Sequence, residues 1–189
     1  LCAVLRSHHL PVPLLDDLLS AFAQDVEKTR SAAGYADRAE LLDYCRRSAN
    51  PVGRLLLHLY GVDDAKALAQ SDAICTALQL INFWQDLSVD IPRGRYYVPQ
   101  ADFAAHGVDH AAWRALRATP ESARLIADCA RWARTTMESG ATLVHRLPGR
   151  AGWELRLVVQ GGLRILDKVD ALHGASLHTR PRLHAGDWA

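Results

Sequence analysis

The sequence predicts a single all-α domain, a helical bundle. Apolar residues recur at three- and four-residue spacing in almost every segment, and no run keeps the two-residue alternation of a strand. Proline and glycine fall at intervals that suit helix ends. The chain has 189 residues, 49% of them apolar and 23% charged, which is enough for one sizeable core.

The elements follow in order. Leu1 to Leu5 read as the end of a helix already under way. Pro13 to about Val26 carries Leu14, Leu15, Leu18, Leu19 and Phe22 on one stripe, an amphipathic helix. The stretch "TRSAAGYADR" reads as a loop. Asp37 is placed as an N-cap with Glu40 at the capping-box offset, opening a helix through Leu41, Leu42, Cys45 and Ala49. Asn50-Pro51 interrupts it, and "RLLLHLYG" continues helical to Gly61. Asp63-Asp64 starts a short helix. Ser71 or Asp72 caps the next, which runs to about Asp90, where Pro92 and Gly94 end it. "RYYVPQADFAAHGV" reads as an irregular connection. Thr119-Pro120 opens a long helix that continues to Leu147, and a last helix covers Trp153 to Leu172 before a polar tail bearing proline and arginine.

Composition excludes several classes of function. The formal charge of +1 and the absence of a basic stripe give no footprint for nucleic acid. No apolar run reaches membrane-spanning length. Cys2, Cys45, Cys75 and Cys129 stand far apart, with no CxxC spacing, and read as free buried thiols of a reducing, cytoplasmic compartment. The histidines show no metal-ligand spacing.

One helix is chemically unusual. "DAICTALQLINFWQDLSVDIPRGRYYVP", Asp72 to Pro99, is apolar enough to be buried, yet places Gln79, Asn82, Asp86 and Asp90 on one face. The last three are successive i, i+4 neighbours, about 5–6 Å apart at Cβ, a spacing at which like charges repel. Three such oxygen donors suit a hard divalent cation, Mg²⁺ being the usual partner of diphosphate. Arg93 and Arg95, with Gly94 between them, offer cations for the same phosphate. The same spacing also serves a solvated stripe. Phe83, Trp84, Leu87 and Val89 cover much of the remaining circumference and favour burial, so spacing alone leaves both readings standing.

At this point the sequence resembles a known family, the squalene/phytoene synthases. "LQLINFWQDLSVDIPRGRYYVP" is similar to their second aspartate-rich motif, and "YCRRSANPVGRL", Tyr44 to Leu55, is similar to their Y-C-x-x-x-A-x-x-V-G signature. Two ordered signatures are a specific signal, and the likeness extends over essentially the whole chain. Within the family, "NFWQD" with "DYCRRSANPVGRL" is most similar to the hydroxysqualene-forming members of the hopanoid pathway.

The resemblance implies an isoprenoid-synthase helical bundle around an apolar cavity. It implies that Asn82, Asp86 and Asp90 hold Mg²⁺, that Asn82, Gln79 and Arg95 contact the substrate, and that Tyr44, Gln79 and Asp86 serve catalysis. For Tyr44 an ordinary core tyrosine is the alternative; for Phe83, Trp84, Tyr96 and Tyr97, core or lid packing is the expectation beside a role as aromatic faces. The implied substrate is presqualene diphosphate and the product hydroxysqualene, formed without nicotinamide. Another head-to-head product, or a family-fold binding factor without chemistry, are the alternatives. So greasy a substrate is compatible with peripheral membrane contact.

Departures from the family pattern stand out. The first aspartate cluster, a DxxxD on an early helix, is not found: Asp16 and Asp17 are adjacent and Asp25 falls too late, so none is assigned to it. Either about the first third of the domain is missing or the member is degenerate, and a chain with half a metal cage is expected to bind diphosphate weakly. Gln85 stands where many relatives have arginine, and Gly161-Gly162 where they often carry a larger residue.

Overall fold

Helix boundaries in the computed structural model, which describes residues 2–188 and the side chains of residues 5–187, follow local signals at most ends. Leu1 and the Cys2 side chain lie outside the described residues. Among the described residues there are ten α-helices: α1 (Cys2–Ser7), α2 (Val12–Ser31), α3 (Arg38–Ser48), α4 (Asn50–Leu59), α5 (Ala65–Gln85), α6 (Leu87–Asp90), α7 (Gln100–His106), α8 (His110–Arg114), α9 (Pro120–Gly140) and α10 (Gly149–Ala171). Among the described residues there is no strand, as the sequence predicts, and no helix is long and apolar enough to cross a membrane.

The caps behave as their chemistry requires. Asp37 accepts the Glu40 backbone N–H at 2.9 Å, while the Glu40 carboxylate reaches back to the Ala36 N–H and to Lys28. Thr119 and Ser122 form a reciprocal capping box at the start of α9. Asn50-Pro51 does break the chain between α3 and α4, with Ala49 leaving helical geometry.

Three expectations are corrected. The central helix does not begin at Ser71 or Asp72 but at Ala65, with Asp64 accepting the Ala67 N–H at 3.0 Å. Ser71 and Asp72 are polar for other reasons: Ser71 is buried where α4 crosses, and Asp72 pairs with Arg54. Nor does it run unbroken to Asp90; it ends at Gln85, and Asp86 sits in the bridge region between α5 and α6. The connection expected to be irregular, Arg95 to Val108, contains α7, and α8, capped by Asp109, follows it. In addition, α2 extends through Thr29 to Ser31 and ends on an αL residue, Ala32.

The core lies around α5, which packs against α3, α4, α9 and α10. Close approach is possible because glycines stand at two crossings. A Cβ on Gly53 of α4 would lie 2.4 Å from Ser71 Oγ and 2.6 Å from Cys75 Sγ, and one on Gly140 of α9 would lie 2.4 Å from the Gln70 carbonyl oxygen. The α4–α5 crossing is fixed further by a buried hydrogen bond from Thr76 Oγ1 to Asn50 Oδ1, 2.9 Å. Leu80, Ile81 and Trp84 of α5 and Leu125, Ala133 and Met137 of α9 are fully or almost fully buried, the apolar burial that drives such a bundle. Cys45, Cys75 and Cys129 are free thiols, and burial pushes that of Cys45 up to about 12.

Candidate active site

Exposed large apolar side chains lie along α2 and along α4 and α10, the last two flanking α5. A groove of about 300 Å³ runs between α4 and α10 over α5, lined by Val52, Leu56 and Tyr60 on one wall, Leu155 and Val158 on the other, and Ile74 and Leu78 at the floor. A second apolar hollow of about 370 Å³ shares Leu78 and Val158 with it and ends at Asn82 and Gln85, with Gly161 and Gly162 in its wall. Together they form a trough along α5 that leads to the polar end of the helix. Gly162 therefore has a packing role that its sequence position did not reveal: a Cβ there would meet Ile81, Met137 and Leu78 at 3.1–3.3 Å.

At that polar end the break in α5 preserves the spacing. The Asp86 N–H donates to the Asn82 carbonyl at 2.9 Å, and the Asp90 N–H to the Asp86 carbonyl at 2.8 Å, so the three side chains remain successive turns of one path. Asn82 is exposed, while Asp86 and Asp90 are half-buried. Burial first, and then the neighbouring Asp86 charge, push the Asp90 carboxyl up to about 6, against the opposing pull of Arg95 and Arg93. Gln79 is half-buried one turn before Asn82 and is not among the residues lining the two hollows.

The loop after α6 folds back over this end. Gly94 takes a left-handed φ of 74°, which turns Arg95 toward the carboxylates. Arg95 bridges two of them, Asp90 at 3.9 Å and Asp25 of α2 at 3.7 Å. Tyr97 stacks on Phe83, centroids 3.9 Å apart at 11°, and donates its hydroxyl proton to Asp25 Oδ1 at 2.6 Å. Tyr44 and Tyr35 complete the aromatic cluster, Tyr44 lying 6.3 Å from both Phe83 and Tyr97. Burial, reinforced by the Asp25 charge, pushes the Tyr44 phenol up to about 12, so it keeps its proton at neutral pH. Trp84 is fully buried against Trp132, a core residue rather than a face of any cavity.

Two residues that the sequence reading left without a role thus join the constellation. Asp25, set aside as too late for the first aspartate motif, anchors the arginine loop from across the bundle. Arg180, from the polar tail, grips Asp86 with its Nη2 3.1 Å from Oδ2 and its Nε on Oδ1. The only signal for either was charge; each partner lies dozens of positions away.

The donor set fits a hard cation. Two carboxylates and an amide oxygen on consecutive turns are the ligand types Mg²⁺ takes, and Asp86 and Asp90 are both half-buried at the end of the trough. Among the described residues no three His, Cys, Asp or Glu side chains converge on one point, so these residues would supply only part of a cation's shell, the rest coming from water and phosphate oxygens.

Comparison with known proteins settles the lineage. The squalene/phytoene synthase family model matches residues 1–188. The chain belongs to the squalene/phytoene synthase family. Family relatives include a hydroxysqualene synthase from Sinorhizobium fredii, 31% identical over 169 residues, which cover 89% of this chain and 55% of that one. A phytoene synthase from Thermus thermophilus is 36% identical over 152 residues, 80% of this chain and 52% of that one. Among solved family structures, squalene synthase HpnC from Alicyclobacillus acidocaldarius superposes with a TM-score of 0.83 at 36% identity, covering 89% of this chain and 63% of that one. YisP from Bacillus subtilis, 19% identical with a TM-score of 0.81, shares the fold. The chain thus spans about half the length of the sequence relatives it matches, and the all-α isoprenoid-synthase fold predicted from its sequence is the fold observed.

Proposed function

We propose that this domain, completed by further helices over its open trough, converts presqualene diphosphate to hydroxysqualene with release of diphosphate, using Mg²⁺. The observation that carries this reading is an apolar trough leading to Asn82, next to two carboxylates one turn apart and the Arg95 loop. Support comes from relatives described as hydroxysqualene synthases and as a squalene synthase. The need for further helices is argued from exposed apolar side chains that line the trough, among them Val52, Leu56, Leu157 and Val158.

In this reading the prenyl chains lie in the trough and the diphosphate at its polar end. Mg²⁺, when bound by Asn82, Asp86 and Asp90, supplies the charge that neutralises the departing diphosphate. Arg95, already between Asp25 and Asp90, contributes a second positive group to the same oxygens. The C–O bond breaks with its electron pair leaving on diphosphate. The cyclopropylcarbinyl cation rearranges, one water adds, and a proton is lost to give the alcohol, so no reductant is consumed. Tyr44 is buried beside the Phe83–Tyr97 stack and lines neither hollow, so a part for it in stabilising positive charge rests on the family resemblance.

The test is incubation of the complete enzyme with presqualene diphosphate and Mg²⁺, omitting NADPH. Hydroxysqualene is the expected C30 product. Squalene or phytoene would reassign the specificity within the family, as the phytoene synthase likeness allows, and no diphosphate release would remove the enzyme reading.

A further inference from the structure

The tail from His178 to Asp187 crosses back over the polar end of α5 as a strap. Pro181 is buried, and its carbonyl accepts a hydrogen bond from Gln85 Nε2 at 2.7 Å. Leu183 enters the hollow beside Ile81 and Asn82. Asp187 pairs with Lys168 of α10 at 2.9 Å and caps the turn through the His184 N–H. These contacts anchor the strap at three points, and the Arg180 pair adds a fourth. The remaining one, Arg180 on Asp86, is different in kind: its side chain is 39% exposed, it adds little packing, and it occupies both oxygens of a carboxylate that the cation reading requires.

A fork-on-fork guanidinium uses the same lone pairs that a hard cation needs. The two cannot hold Asp86 in the same way at once. A partly exposed ion pair is weak enough for a divalent cation to displace and strong enough to tax its affinity. Gln85, the residue next to Asp86, ties the strap there through a neutral bond to the Pro181 carbonyl.

We infer that Arg180 is a counter-ion latch: it keeps the Asp86 carboxylate compensated and oriented, and gives it up to the cation, so that cation binding and loosening of the strap are one equilibrium. The inference rests on the proposed role of Asp86 as a cation ligand.

The experiment uses this 189-residue chain and Mn²⁺ alone as the probe, with free Mn²⁺ read by electron paramagnetic resonance and the strap amides of residues 182–187 read by hydrogen exchange. Arg180→Gln is expected to tighten Mn²⁺ binding about two- to fivefold, the range open to a partly exposed pair. Arg180→Lys, which keeps the charge but not the fork, is expected to fall between. In the wild type, Mn²⁺ is expected to speed exchange in the strap; in Arg180→Gln, exchange is already fast and Mn²⁺ leaves it unchanged. Unchanged or weaker Mn²⁺ binding by Arg180→Gln overturns the latch. Asp86→Asn separates the two levels. If it binds Mn²⁺ as the wild type does, the cation reading fails and the latch with it. If it loses Mn²⁺ while Arg180→Gln changes nothing, only the latch fails.

Discussion

Removing one hydroxyl, in Tyr97→Phe, tests whether α2 really anchors the arginine loop. The Tyr97 proton is donated to Asp25 over 2.6 Å, a charge-assisted bond between half-buried groups. Bonds to a charged partner contribute about 1.5–3 kcal/mol, and the 22% exposure of the Asp25 side chain places this one at the lower end. The ring stack on Phe83 is retained by phenylalanine, so no cavity term is added. The expected loss is therefore about 1.5 kcal/mol, equivalent to about 3–6 °C in Tm for a domain of this size. Urea denaturation followed by circular dichroism reads it, and a double-mutant cycle with Asp25→Ala isolates the pair, with an expected coupling of about 1–1.5 kcal/mol. A Tyr97→Phe midpoint indistinguishable from wild type, or additive effects in the cycle, would refute the anchoring role.

Other outcomes follow from the same structure. Gly140→Ala would set a Cβ 2.4 Å from the Gln70 carbonyl oxygen, a backbone atom with no freedom to move aside. Overpacking of about 1–3 kcal/mol should outweigh the ~1 kcal/mol that alanine gains in helix propensity, lowering the Tm in a thermal melt. Arg38→Met would strip the counter-charge from Asp128 and from the buried Asp102, which Arg38 holds at 2.6 and 2.9 Å, at an expected cost of about 2 kcal/mol. Burial pulls the Asp128 carboxyl up, but the Arg38 hydrogen bond and charge overcome it and hold it below the usual range. Its contribution is therefore complete above the unfolded value near about pH 4 and is lost as pH falls through the lower folded value. The stability difference between wild type and Arg38→Met should accordingly be full at neutral pH and shrink below about pH 4 in urea titrations across pH.

How far the sequence could be read depended on the range of the interaction. The helical class, the Asp37 and Thr119 caps and the Asn50-Pro51 break are set within a turn or two, and all appear where their chemistry places them. The start of α5 was misplaced because Ser71 and Asp72 look like caps, although one is polar to fit beneath Gly53 and the other to pair with Arg54. Asn82, Asp86 and Asp90 were legible as a spaced set, and the break at Asp86 keeps them so. Asp25 and Arg180 were not. Their partners, Tyr97 and Asp86, lie 72 and 94 positions away, and no local pattern distinguishes such residues from other surface charges.

The central claim is that Asp86 and Asp90 grip a divalent cation at the mouth of an apolar trough. A crystal structure of the complete enzyme with Mg²⁺ and an unreactive thio-diphosphate analogue of the substrate tests it most directly. The account predicts metal density about 2.0–2.1 Å from an oxygen of each carboxylate, shared with the diphosphate, and Arg180 withdrawn from Asp86. Asp86 still held by Arg180, with the cation bound elsewhere or not at all, would contradict it.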